Sequence, residues 1–189
     1  MNDADRERWN RRHSAGELDW KPSAWLLAHE ALIRPRQPNQ RALDLACGTG
    51  QNALYLARLG YEVDAWDISE VALDRLRARI EASGESLRVT PQQVDLDLAS
   101  IPTTTYDLVL DINFLERQLF HAMAETLRPD GLLLVRTLMR KPAGDDRAAA
   151  YLLEPGELQA AFTRLETLEY VEDPVDGWAA LVARRSAPY

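Results

Sequence analysis

From residue 42 onward, short apolar runs alternate with stretches of helical periodicity, and this alternation leaves few folds open. Residues 42–46 are an apolar run bounded by glycine, the pattern of a buried strand. Residues 51–59 have helical composition, and Gly60 suits a C-terminal stop. A second strand is predicted over 61–66, after which Ser69 caps a helix with Leu73, Leu76 and Ile80 on one face. A weaker third strand spans 87–94, interrupted by Pro91, and a fourth spans 106–110. Leu115, Leu119, Met123 and Leu127 form a helical stripe closed by Pro129-Asp130-Gly131. A fifth strand follows over 132–137, then a helix around Leu158, Ala161 and Phe162, then two strands near 166–171 and 178–183. Regular alternation of strand and helix predicts an α/β fold with a doubly wound, mostly parallel sheet. The short, turn-rich link at 173–177 predicts that the last two strands pair antiparallel. Upstream, Pro35, Pro38 and Asn39 mark 34–40 as a connector. It follows a helix started by Ser23, with Trp25, Leu26, His29, Leu32 and Ile33 on one side. The expected organisation is a helical arm or lid over 1–40 and a main domain over 41–189.

The chemistry concentrates at strand ends, where doubly wound sheets bind ligands. Asp44-Leu45-Ala46-Cys47-Gly48-Thr49-Gly50 joins the first strand to its helix. Gly48 and Gly50 allow close approach of a ligand, and the helix start behind them offers unpaired N–H groups to an anionic group. Asp44, on the strand, is set to accept from a ligand ammonium. Asp67 ends the second strand, nineteen residues after Gly48, followed by Ile68. An acid at this place accepts both ribose hydroxyls of an adenosine. Asp64, by contrast, reads as a surface charge. At the end of the third strand, an acid of Gln93-Val94-Asp95-Leu96-Asp97 accepts from an adenine amino group and Leu96 covers the ring. Alternation alone does not choose between Asp95 and Asp97; Asp95 is nearer the strand end. Asp111 ends the fourth strand and borders the rest of the ligand.

These motifs together resemble the class I S-adenosylmethionine (SAM)-dependent methyltransferases from about residue 40 to 185. Asp44–Gly50 is similar to the family's first motif, Asp67 to its ribose-binding acid and Asp95 to its adenine-binding acid. Residues 127–134, Leu-Arg-Pro-Asp-Gly-Leu-Leu-Leu, resemble the family's Leu-Lys-Pro-Gly-Gly turn into strand five, with Asp130 replacing the first glycine. The resemblance implies a seven-stranded sheet with the last strand antiparallel, and SAM as cofactor. It also implies cofactor contacts from Asp44, Ala46, Cys47, Gly48, Gly50, Asp67, Ile68, Asp95, Leu96 and Asp111. A narrower resemblance joins Trp9-Asn10-Arg11-Arg12-His13, Pro22-Ser23, residues 42–48 and 52–57, Asn113-Phe114-Leu115-Glu116-Arg117 and Leu153-Glu154-Pro155-Gly156-Glu157-Leu158. These are similar to tellurite-resistance methyltransferases, a group near the thiopurine methyltransferases, and imply an N-terminal segment folded over the cofactor. Relatives tend to carry Tyr-Glu-Thr after strand five, where this chain has Val135-Arg136-Thr137.

Composition narrows the partners. The net charge of −8 splits into +2 over residues 1–41 (eight Lys/Arg, six Asp/Glu) and −10 over 42–189 (fourteen and twenty-four). A body this acidic is a poor match for nucleic acid. No apolar run approaches the ~20 residues of a membrane span. A single cysteine and a charged, signal-free N-terminus point to the cytoplasm. Cys47 reads as a small packing residue, and His13, His29 and His121 show no metal-ligand spacing. The expected function is methyl transfer to a small-molecule acceptor, such as a soft S, Se or Te nucleophile or an oxyanion. Arg12, Trp20, Asn113, Arg117 and Arg136 are candidates for its side of the site. The alternatives are a SAM-binding module without catalysis and an NAD-linked oxidoreductase. The latter should show Gly-x-Gly-x-x-Gly, whose third glycine is here Ala53. The sequence is silent on oligomeric state.

Overall fold

A computed structural model describes residues 3–15, 20–142 and 147–187 of the chain. The chain divides into two compact units, residues 1–99 and 100–189. In the first, α1 (Asp3–Ala15), α2 (Ala24–Ala28) and α3 (Glu30–Ile33) precede β1 (Arg41–Leu45), α4 (Gln51–Leu59), β2 (Glu62–Asp67), α5 (Glu70–Ser83) and β3 (Val89–Gln93). Strands β1, β2 and β3 are parallel, with Asp44 opposite Ala65 and Asp67 opposite Gln93. The core of the unit is aliphatic: Leu43, Leu45, Leu54, Leu56, Leu73 and Leu76 are almost wholly buried. Ser69 caps α5 through its hydroxyl, which accepts from Ala72 N–H at 3.2 Å, a contact worth about 1 kcal/mol. Pro91 is tolerated inside β3 because that strand pairs on one side only.

The second unit carries β4 (Tyr106–Ile112), a 3-10 turn (Arg117–Leu119), α6 (Phe120–Glu125), β5 (Leu127–Leu138), α7 (Glu157–Ala161), β6 (Glu166–Asp173) and β7 (Trp178–Arg184). Strands β4 and β5 are parallel, and β7 runs antiparallel to both β5 and β6. The strand order is β3-β2-β1-β4-β5-β7-β6, a seven-stranded, mostly parallel sheet with the last strand antiparallel, as expected. Among the described residues, no helix is long and apolar enough to cross a membrane.

Two elements differ from the sequence reading. Ser23 precedes α2, but its side chain caps nothing; its N–H donates to Asn52 Oδ1 at 2.9 Å. The predicted helix breaks at His29, whose ring Nδ1 lies 2.8 Å from the Trp25 carbonyl oxygen. The apolar stripe of 115–127 is also not one helix. Buried Thr126 turns the chain back, its carbonyl accepting from the N–H groups of Thr105 and Tyr106, and Leu127 already pairs with Tyr106. The next pair is Leu108 with Leu132, so Pro129-Asp130-Gly131 bulges from a continuous β5, with Asp130 at φ +64°.

Candidate cofactor site

The turn after β1 is built from residues that few side chains permit. Ala46, Gly48 and Gly50 all have positive φ (+50°, +54° and +79°). A Cβ on Gly50 would fall 2.3 Å from the Leu76 side chain of α5, and the φ of +79° is itself one that favours glycine. Cys47 N–H donates to the Trp66 carbonyl at 3.0 Å and ties the turn to β2.

Two carboxyls sit beneath this turn. Asp67, almost wholly buried, accepts from Gly48 N–H on Oδ2 and from Ser69 N–H on Oδ1, each at 2.8 Å. Burial raises its pKa, and the amide donors and His13 act against the rise. Asp44 is 1% exposed. Burial, with the nearby charge of Asp67, pushes its pKa up to about 8, opposed by an N–H from Ala53. Its Oδ2 is buried and has no hydrogen-bond partner among the described residues. Such an oxygen suits a cationic donor, which would restore the ionised form. The Cys47 thiol is pushed well up by burial and then by Asp44, so it stays a neutral packing group.

The N-terminal arm reaches the same place. Helix α1 packs on α5. Asn10 Oδ1 accepts from the Ser69 hydroxyl at 2.7 Å, and its Nδ2 donates to Glu70 Oε1 at 3.2 Å. His13 stacks on Trp9 with its Cε1 3.5 Å from where a Gly48 Cβ would lie. Burial lowers the His13 pKa, Asp67 opposes, and Arg12 and Arg75 reinforce the lowering. The sequence reading passed over Asn10 and His13 as site residues, although both stand in the quoted Trp9–His13 motif.

Of the remaining predicted contacts, Ile68 is buried and its carbonyl accepts from the Gln93 side chain at 3.1 Å. Val94 N–H donates to the Asp67 carbonyl at 2.9 Å, which brings the end of β3 to Asp67. Beyond it Asp95 is half-buried, Leu96 is buried and Asp97 is exposed, with Asp95 Oδ1 accepting from Asp97 N–H. Asp64 binds Arg41 at 2.6 Å, so it is a paired charge. Exposed Arg12 lies over Trp9 at 5.3 Å, and Arg79 over Trp20 at 3.9 Å. In the second unit Asp111 is buried near the end of β4. Asn113, at φ +64°, donates its N–H to the Arg136 carbonyl at 2.8 Å. Arg117 does not join them: its guanidinium holds Glu157 at 2.5 Å and the Leu152 carbonyl at 2.8 Å.

Residues 42–131 match the family described as a methyltransferase domain. That stretch, a little under half of the chain, is similar to the methyltransferase domain family. A protein of Haemophilus influenzae named as the probable S-adenosyl-L-methionine-dependent methyltransferase TehB is 29% identical over 141 residues, covering 70% of this chain and 48% of that protein. The ubiquinone biosynthesis O-methyltransferase of Xanthomonas campestris pv. campestris is 32% identical over 111 residues, covering 56% and 46%. The chain thus spans about half the length of the curated relatives it matches. The crystal structure of TehB from Haemophilus influenzae shares the fold, with a TM-score of 0.75 at 23% identity over 96% of this chain and 67% of that one. The TehB match accords with the narrower resemblance read from the N-terminal and loop motifs.

Proposed function

We infer that the chain is an enzyme that moves a methyl group from SAM to a small-molecule acceptor. The observation that carries this reading is the buried carboxylate of Asp67. It is fixed by two amide donors at the end of β2, beside the glycine turn that follows β1. In the reading, Asp67 accepts from the ribose hydroxyls and the orphan oxygen of Asp44 accepts from the ammonium. Asp95 meets the adenine amino group and Leu96 covers its ring. Asp111 borders the methionine portion. SAM supplies a methyl already activated on a sulfonium. The protein's share is then to hold the acceptor in line and keep water away. A thiolate, selenium or tellurium acceptor, or another group that arrives deprotonated, fits such a site best. The arm bearing Asn10 and His13 serves as a cover in this reading. The single, buried Cys47 and the absence of a disulfide are compatible with a reducing cytoplasm.

Calorimetry tests the reading. SAM and its demethylated product are expected to bind, and NAD much more weakly. Asp67→Ala removes two charge-assisted hydrogen bonds and is expected to weaken SAM about tenfold or more with the fold intact. NAD binding without SAM binding would sink the proposal. SAM binding with no turnover on any acceptor in a broad panel would favour a non-catalytic SAM-binding module.

A further inference from the structure

Arg136 has a setting unlike that of its neighbours in the second unit. It lies two residues before the end of β5, opposite Ile112, the last residue of β4. This is the carboxyl end of the strands, where sheets of this kind take their ligands. Trp178 opens β7 opposite Leu138, so Trp178 and Arg136 occupy one face as diagonal neighbours. The guanidinium carbon sits 4.6 Å from the centroid of the Trp178 ring.

Arg117, Arg128, Arg140, Arg164, Arg184 and Arg185 of the same unit each have a carboxylate within 3.8 Å. Among the described residues, Arg136 has none, although it is half-buried. A partly desolvated guanidinium without a counter-charge is unfavourable, and cation–π contact with an indole offsets only part of that cost. Contact with the ring uses none of its N–H donors, and among the described residues no acceptor engages them, so a fork of donors is left to meet one. A fork of this geometry matches a planar carboxylate, and one positive charge matches a monoanion. The indole beside it suits the organic body of the same molecule.

We propose that Arg136, held by Trp178, docks the carboxylate of the methyl acceptor, which makes that acceptor a small organic acid. The assignment rests on the methyltransferase reading above and adds the substrate class.

The test uses the full chain with benzoate as the probe and benzamide as its uncharged counterpart. Binding is read from the NMR signal of the Trp178 indole, identified with Trp178→Phe, with and without the demethylated cofactor. Benzoate is expected to shift that signal saturably, and benzamide to bind at least about tenfold more weakly, the difference made by a charge-assisted pair. Arg136→Gln should abolish the preference. Arg136→Lys, which keeps the charge and loses the fork, should fall between. Cofactor affinity in both variants should stay within about twofold of the parent, since uniform loss would signal a different role. Equal shifts from benzoate and benzamide, or an unchanged preference in Arg136→Gln, overturn the proposal. A tenfold loss of cofactor affinity in the variants also overturns it, because Arg136 would then serve the cofactor. If the parent protein binds no cofactor, the methyltransferase reading fails and the acceptor assignment falls with it. The benzoate arm records separately whether the anion site exists.

Discussion

At the scale of single residues, Asp44 is where folding and binding pull against each other. In the unfolded chain its carboxyl ionises near the usual value of 3.8, and in the folded chain near about 8. Between those values the folded state holds a proton that the unfolded state has released. Stability without ligand therefore falls as pH rises through this window, by about 1.4 kcal/mol for each unit between the two pKa values at the upper limit. Asp44→Asn is expected to remove this slope and to melt higher than the parent at pH 8, with the gap shrinking toward pH 5. Urea titrations across that range check it; parallel slopes would mean that Asp44 is already ionised in the folded chain. The same variant should weaken SAM, because it lacks the charge that the ammonium needs. Asp44, Gly48, Gly50 and Asp67 were legible in the sequence because the turn demands particular residue types within a few positions of one another. Asn10 and His13 were not. Asn10 meets Ser69 across 59 residues of chain, and a hydrogen bond between distant segments leaves no periodic trace. The same holds for Arg117, whose partner Glu157 lies 40 residues on.

Among the elements, α1 is the least secured. None of its described residues is buried, and what holds it is polar: Asn10 on Ser69 and Glu70, and Ser14 accepting from Arg75 at 3.2 Å. A 13-residue helix is marginal in isolation, so these few contacts, each worth about 1 kcal/mol, decide how long it stays docked. Asn10→Ala is expected to speed tryptic cleavage at Arg11 and Arg12 several-fold while leaving the cooperative melting of the body nearly unchanged. If α1 covers bound SAM, the variant also loses cofactor affinity; faster cleavage with unaltered affinity would leave α1 as packing on α5 alone. Strands β1 and β2 were legible to within about one residue, since buried parallel strands form apolar runs cut off by glycine and polar turns. The stripe from Leu115 to Leu127 misled because a spacing of three or four residues also fits a short helix followed by a chain that turns into a strand. Leu127 is buried in either case.

For the molecule as a whole, the mostly parallel, seven-stranded sheet was legible from the alternation and the family motifs, and the final antiparallel pairing from the short link before Trp178. The two ends of the sheet are finished differently. On β3, Pro91 withholds an N–H from any further strand. The residues of β6, Glu-Thr-Leu-Glu-Tyr-Val-Glu-Asp, rely on charge, with Glu166 and Glu169 both exposed. A rim guarded by like charges is guarded only while they can repel across solvent. Colloidal behaviour should therefore depend on dissolved salt in a way that the other end of the sheet does not impose. As salt rises and screens the glutamates, the open backbone of β6 becomes a template for another strand. Light scattering should then report growing particles while circular dichroism still shows native structure. Glu166→Gln with Glu169→Gln should bring that onset to lower salt, and an onset that does not move would assign the solubility to some other surface.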